Sequence, residues 1–267
     1  MDELTHSCRW KIGQLERYHE MLLGVQSDPD WYSKPCNCDW LPFPFNYPRI
    51  PERFSLKNDH FEYMGRKKFQ EAYNKVSSLT LTGLSSLYIY GTMGYGKSHI
   101  LAALTCLLYR QGKRVVFIPD CRAMLANPLV YIKCALLCAF ANPSLKEERQ
   151  QIRACTSLCE LDAFSHSLYG TTLYFIVDQV NALEKSPYNT DTISDNDKNA
   201  GQTLINSLSS GNFLITSASA NYQTARRMTQ KQTGEKKMSL VGGMSNVSPL
   251  VHPSVSFYII CLEFRKR

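Results

Sequence analysis

The sequence predicts an α/β fold: a three-layer sandwich of helices around a mainly parallel sheet, preceded by a helical and proline-rich N-terminal extension. Three observations predict it. Short apolar, β-rich runs alternate with helical patterns from residue 87 onward. One run, Leu173–Val177, is apolar throughout, as suits a parallel strand covered on both faces. A glycine-rich loop over residues 91–98 joins the first β-rich run to the helix after it.

The elements follow in chain order. Residues 1–26 read as an amphipathic helix, with Leu4, Cys8, Ile12, Leu15 and Leu22 on one face and Lys11, Glu16, Arg17 and Glu20 off it. Residues 28–54 hold Pro29, Pro35, Pro42, Pro44, Pro48 and Pro51, half of the chain's 12 prolines. That density argues against regular structure. It predicts an extended strap whose Trp31, Trp40, Phe43, Phe45 and Tyr47 pack on the body, in preference to a proline-rich ligand for a partner. From Arg66 the pattern is helical, with Phe69, Ala72, Tyr73 and Val76 on one face; residues 77–86 form a polar linker. The first strand is expected at 87–90. A helix over 97–111 turns Ile100, Leu101, Leu104, Leu107 and Leu108 inward and is closed by Gly112. Arg114–Ile118 reads as a second strand, stopped by Pro119. Asn127-Pro128 starts a helix with proline in its first turn, and the capping box Ser144-Leu-Lys-Glu147 opens another. After the third strand, Leu173–Val177, come an acidic loop at 189–199, a helix, a strand at 213–216, a polar basic stretch at 221–237 and a fifth strand at 255–262. The expected division is an N-terminal extension over 1–60 and a nucleotide-binding domain over 61–267, shortened at its C-terminus.

Composition narrows the function classes. Of the 267 residues 44% are hydrophobic and 20% charged, enough apolar side chain to bury a full core, which excludes dominant disorder. Lys and Arg number 30 against 23 Asp and Glu, a net charge of +7 that permits a polyanionic partner without requiring one. The longest apolar stretch, 128–141, is broken by Lys133 and is too short for a bilayer. No signal segment opens the chain, so the expectation is an intracellular protein, cytoplasmic or nuclear, without membrane contact. In such a compartment the 10 cysteines argue against a disulfide framework. Cys134/Cys138 and Cys155/Cys159 are spaced to share helix faces; a zinc site from the two pairs is the lesser expectation, and small buried core residues the greater.

The chemistry concentrates in Gly91-Thr92-Met93-Gly94-Tyr95-Gly96-Lys97-Ser98, the pattern GxxxxGK[ST] between a strand and a helix. Glycines let the loop curl so that successive N–H groups point at phosphate oxygens, and the following helix adds its positive end. Lys97 can then reach the β- and γ-phosphates of ATP, and the Ser98 hydroxyl can ligate Mg²⁺. His99, next in line, is expected to pack beside the phosphates. Asp178 ends the third strand at the edge where ligands sit in open α/β sheets, and is the second expected Mg²⁺ ligand. ATPases with an additional strand between these two motifs usually carry glutamate next, as base for the attacking water; here it is Gln179, which orients water but cannot take its proton. Glu184 is the alternative base, against a plain solvated charge. After the fourth strand, Asn221 and then Ser219 are expected beside the γ-phosphate. Arg226 is the candidate for transition-state charge, with Arg227 beside it. Arg226, Arg227, Lys231, Lys236 and Lys237 are candidate contacts for nucleic-acid phosphates, or for nucleotide on a neighbouring subunit of a homo-oligomer. Residues 61–66 are placed to close over the adenine, against a plain helix start.

Two stretches carry a family resemblance. One runs from Tyr90 through the glycine loop to Leu104 and on from Gly112-Lys-Arg-Val-Val-Phe-Ile-Pro-Asp-Cys-Arg122. The other is Ser219-Ala-Asn-Tyr222 with Lys231-Gln-Thr-Gly-Glu-Lys-Lys237 and Gly242-Gly-Met244. Together they resemble the P-loop ATPase domain of Crinkler-type effectors and retrotransposon-hot-spot proteins, over residues 61–244. The resemblance implies a P-loop NTPase module, related to the AAA+ and STAND groups, that regulates a nuclease-like domain and often works in a nucleus, including that of a host cell. The effectors' N-terminal Leu-Phe-Leu-Ala-Lys type signature is absent and 23 residues follow Met244, so nuclease activity is not expected of these residues. The expected function is therefore a slow Mg²⁺-dependent ATPase; the alternative is an ATP-loaded switch or scaffold with little or no hydrolysis.

Overall fold

Five runs pair into one parallel sheet in a computed structural model, which describes residues 12–45, 50–91, 94–168, 170–184, 192–218 and 235–240. The strands are β4 (Ser86–Gly91), β5 (Arg114–Ile118), β6 (Leu173–Val177), β7 (Phe213–Ser217) and β8 (Lys236–Leu240), in the order β5-β6-β7-β4-β8. Val115 to Ile118 in β5, and Leu173 with Phe175 to Val177 in β6, are all buried, so these two strands are covered on both faces. The architecture is the expected P-loop NTPase sandwich. A strand does lie between the one that feeds the glycine loop, β4, and the one that ends at Asp178, β6.

The helices are α1 (Ile12–Leu23), α2 (Pro29–Ser33), α3 (Lys67–Ser77), α4 (Lys97–Arg110), α5 (Cys121–Ala126), α6 (Pro128–Ala139), α7 (Lys146–Ala154), α8 (Leu158–Ser167) and α9 (Asp195–Leu208). Their starts follow local chemistry. Asp120 Oδ1 accepts the N–H groups of Arg122 and Ala123 at the head of α5. Asn127 accepts from Val130 N, with Pro128 in the first turn of α6. Gly112, at φ 79, ends α4 as expected.

The proline-rich stretch corrects one expectation. Regular structure persists in it, as α2 and as β1 (Cys38–Pro42), because Pro29 sits in the first turn of its helix and Pro42 at the last position of its strand. β1 pairs antiparallel with β3 (His60–Met64), which pairs with β2 (Leu56–Lys57). Asn58 and Asp59 turn the β2–β3 hairpin at φ 50 and 63, where Asn and Asp are favoured. The Leu41–Phe61 pair thus bridges position 60. Phe43, Phe45 and Phe54 are buried and Trp31 partly so, as expected of a strap; Trp40 is 44% exposed, and Tyr47 lies outside the described residues. Phe43 meets Phe54 (4.7 Å between centroids), Phe61 (6.1 Å) and Phe117 of β5 (6.1 Å), which joins the strap to the central sheet.

Three further expectations change. Ser144 does not cap α7: Asn142 Oδ1 takes its hydroxyl and its N–H in a local turn, so the helix starts at Lys146 uncapped. The acidic loop yields at Ser194, whose hydroxyl accepts from Asp197 N and opens α9, placing Asp195 and Asp197 at its positive end. Cys134 and Cys138 are buried in α6, but Cys155 ends α7 and Cys159 is exposed in α8, so the second pair shares no helix face. Among the described residues the fifth strand of the sheet is β8, drawn from the end of the basic stretch; the strand expected at 255–262 lies outside the described residues, as do 1–11 of the expected first helix. Among the described residues no helix is long and apolar enough to cross a membrane.

Candidate phosphate and carboxylate site

The site starts where β4 ends. Gly91 has φ 145 and lies so close to β8 that a Cβ would strike the Leu240 carbonyl. Thr92 and Met93 lie outside the described residues. Gly94 (φ 86) and Gly96 (φ 71) take the left-handed turns that bring the chain into α4. Gly96 is the N-cap and brings no capping side chain, so the first turn of α4 presents backbone N–H groups. Lys97 is buried and its Nζ donates to Gly91 O at 3.0 Å, folding over the loop. Burial pushes its ammonium below the usual lysine range, and the charge of Asp178 pulls it back up. Ser98 lies half-buried in the same turn.

Asp178 arrives from β6 and is 1% exposed. Its Oδ1 accepts from Gln179 N at 2.9 Å and from the Ser217 hydroxyl at the end of β7. These two donors fix the carboxylate plane. Oδ2 faces the Arg53 guanidinium at 3.2 Å. The donor set suits Mg²⁺: a serine hydroxyl and a carboxylate are hard oxygen ligands, and Oδ2 is engaged by an arginine side chain and not by the two donors that hold Oδ1.

Gln179 has φ 61 and ψ 42, a left-handed backbone that costs a non-glycine residue of order 1–3 kcal/mol, at the position where β6 hands over to the 3-10 turn Val180–Leu183. Glu184 follows that turn. Burial raises its carboxyl, and one oxygen has no partner among the described residues; the Tyr88 phenol of β4 is raised by burial first and by the Glu184 charge after it. Ser219, Asn221, Arg226, Arg227 and Lys231 lie outside the described residues. Lys236 is described: its ammonium donates to the Ser78 carbonyl (2.5 Å) and hydroxyl (2.8 Å), at the end of α3. Lys237 stands opposite Tyr88 in β8, where its charge lowers a Glu235 carboxyl that burial has pushed up to about 7.

Residues 61–66 divide. Phe61 and Tyr63 are core side chains of β3, while Arg66 reaches the loop: its Nη1 donates to Tyr95 O at 3.1 Å, and its guanidinium fills the place of a Gly96 Cβ. His99 packs between Phe54 (4.8 Å) and Phe61 (5.9 Å). Burial first, then the charges of Arg66 and Arg53, lower its pKa to about 4. The fold thus favours neutral His99, so stability is full above the unfolded value near 6.5 and falls as pH drops from there to about 4. We expect His99→Gln to flatten the melting temperature of the wild type over that window, by no more than about 3 kcal/mol in stability. Parallel losses in both proteins would assign the acid sensitivity elsewhere.

Sequence reasoning missed Arg53. Its Nη1 pairs with Asp120 Oδ2 at 3.5 Å, its Nη2 with Asp178 Oδ2 and with the Pro119 carbonyl, so it spans the ends of β5 and β6. No local signal marks it, because the partners are 66 to 125 residues away.

No family model matches the chain, and no curated protein matches it. Two solved structures are similar in outline. One is a DNA replication initiation factor, at 14% identity over 74% of this chain and 49% of that one, with a TM-score of 0.37. The other is the ORC2 protein of Aeropyrum pernix in ADPNP–ADP complexes, at 18% identity over 75% of this chain and 52% of that one, with a TM-score of 0.39. The chain spans about half the length of each.

Proposed function

We propose that the chain binds ATP with Mg²⁺ at the loop over 91–98 and hydrolyses it slowly. The observation that carries the reading is the shared strand edge. With β7 between β4 and β6, the glycine loop and Asp178 open on the same side of the sheet, close enough for Asp178 to act on the Lys97 charge. Lys97, the N–H groups at the head of α4, and Arg66 beside the loop supply positive charge for a triphosphate. Ser98 and Asp178 would hold the metal, which when bound neutralises charge developing on the phosphoryl oxygens. Gln179 positions the attacking water by hydrogen bonding and leaves it without a carboxylate partner.

That amide also favours a second reading, an ATP-loaded switch with little or no turnover. The setting as regulatory module of a Crinkler-type protein is supported by the strings around residues 90–122 and 219–244 alone. Nucleic-acid binding would rest on Arg226, Arg227, Lys231, Lys236 and Lys237. Phosphate release from ATP by the purified chain, with Mg²⁺ or with EDTA, separates the readings: slow metal-dependent release supports the ATPase, and tight ATP binding without release supports the switch.

A further inference from the structure

We infer that Arg53 is a specificity-determining residue of this site, a tethered cation that holds the Asp178 carboxylate until a metal–nucleotide complex takes its place. The inference rests on the nucleotide reading above for its biological use, but its geometry stands apart from it. Asp178 is the buried carboxylate at the site, and of its two oxygens one is fixed by Ser217 and the Gln179 N–H. The other, the oxygen a divalent cation would use, faces Arg53 Nη2. Arg53 is the ion-pair partner of a carboxylate only 1% exposed, with the Lys97 charge also acting nearby, and a buried charge that loses its ion-pair partner is costly.

The grip is built and also incomplete. Pro51 and Phe54 flank the arginine, and Phe54 is buried against Phe43, Phe61 and His99, so the guanidinium is delivered from an anchored segment. Asp120 Oδ2 and the Pro119 carbonyl take its other donors at the end of β5. Its Nε is buried with no partner among the described residues, and the Asp120 contact is long at 3.5 Å. A divalent cation at Asp178 would put two positive centres on one oxygen, so metal entry and Arg53 occupancy oppose each other. A bare metal ion must displace the arginine alone. A metal–nucleotide complex also brings phosphates, which offer the displaced guanidinium new acceptors. The site is thereby biased towards the complex and against the free ion, and the strap registers which of the two is present.

The probe is Mn²⁺ alone, followed by electron paramagnetic resonance on the full chain without nucleotide. Arg53→Gln removes the charge and keeps a hydrogen-bonding side chain. Asp120→Asn is the second variant: it loosens Arg53 and keeps an oxygen to cap α5. Arg53→Gln is expected to bind Mn²⁺ at least about fivefold more tightly than wild type, with Asp120→Asn between them. Equal Mn²⁺ affinity in a folded Arg53→Gln variant overturns the proposal. Calorimetry with ATP in EDTA is the second arm. Without metal the guanidinium is expected to stay on Asp178, so affinity in Arg53→Gln within about twofold of wild type supports the tether, and any larger loss overturns it by placing Arg53 on the phosphates before a metal has displaced it. A wild type that binds no ATP removes the nucleotide reading, and the Mn²⁺ arm still decides the role of Arg53.

Discussion

Gln179→Glu is expected to raise the single-turnover rate of ATP hydrolysis at least several-fold, towards the order of 10²-fold, with ATP affinity nearly unchanged. A positioned base contributes about 10²–10⁴-fold, and the amide now at this position cannot take a proton. The substitution is close to isosteric, and glutamate pays the same left-handed backbone cost as glutamine at φ 61, so the local turn should survive. The N–H of residue 179 would still donate to Asp178 Oδ1. The competing base is Glu184. Its carboxyl is half-buried, and burial keeps it more basic than an exposed glutamate. If Glu184 serves, Glu184→Gln abolishes hydrolysis and Gln179→Glu changes little. Rates unaffected by either substitution would remove both residues from the water.

The second large effect is on stability. Phe43→Ala is expected to cost about 3–5 kcal/mol, the usual range for emptying a fully buried phenylalanine site. The ring is fully buried and touches Phe54, Phe61 of β3 and Phe117 of β5. The loss would lower the melting temperature on the order of 10 °C for a chain of this size. A loss below about 1 kcal/mol would mean that the strap peels away without disturbing the sheet, and that Arg53 is not held where its ion pairs place it.

The central sheet was legible because its signal is local. Leu173–Val177 and residues 115–118 are continuous apolar runs bounded by Gly112, Pro119 and Asp178, and the glycine loop fixes the start of α4. The order of the strands follows from packing and not from any one run; the expectation of an intervening strand came from the motif pair, and β7 fills it. β8 is hard to see in the sequence because Lys236 and Lys237, which close the basic stretch, mask an alternation in which Met238 and Leu240 turn inward. The capping box at Ser144 failed because Asn142, two residues before, competes for the same hydroxyl. β1 was hidden by prolines that fall at its boundary. Arg53 was invisible for a different reason: an arginine between Pro51 and Phe54 has no periodicity or motif, and only the folded hairpin carries it to Asp178.

The most direct test of the account is calorimetric titration of ATP into wild type and Lys97→Ala. Lys97 folds over the loop onto the Gly91 carbonyl and brings a full charge to the phosphate positions. Charge-assisted contacts of this kind are worth about 1.5–3 kcal/mol, so the account predicts affinity roughly ten- to hundredfold weaker in the variant at an unchanged fold. The same affinity for ATP in both proteins, or none in the wild type, would contradict it.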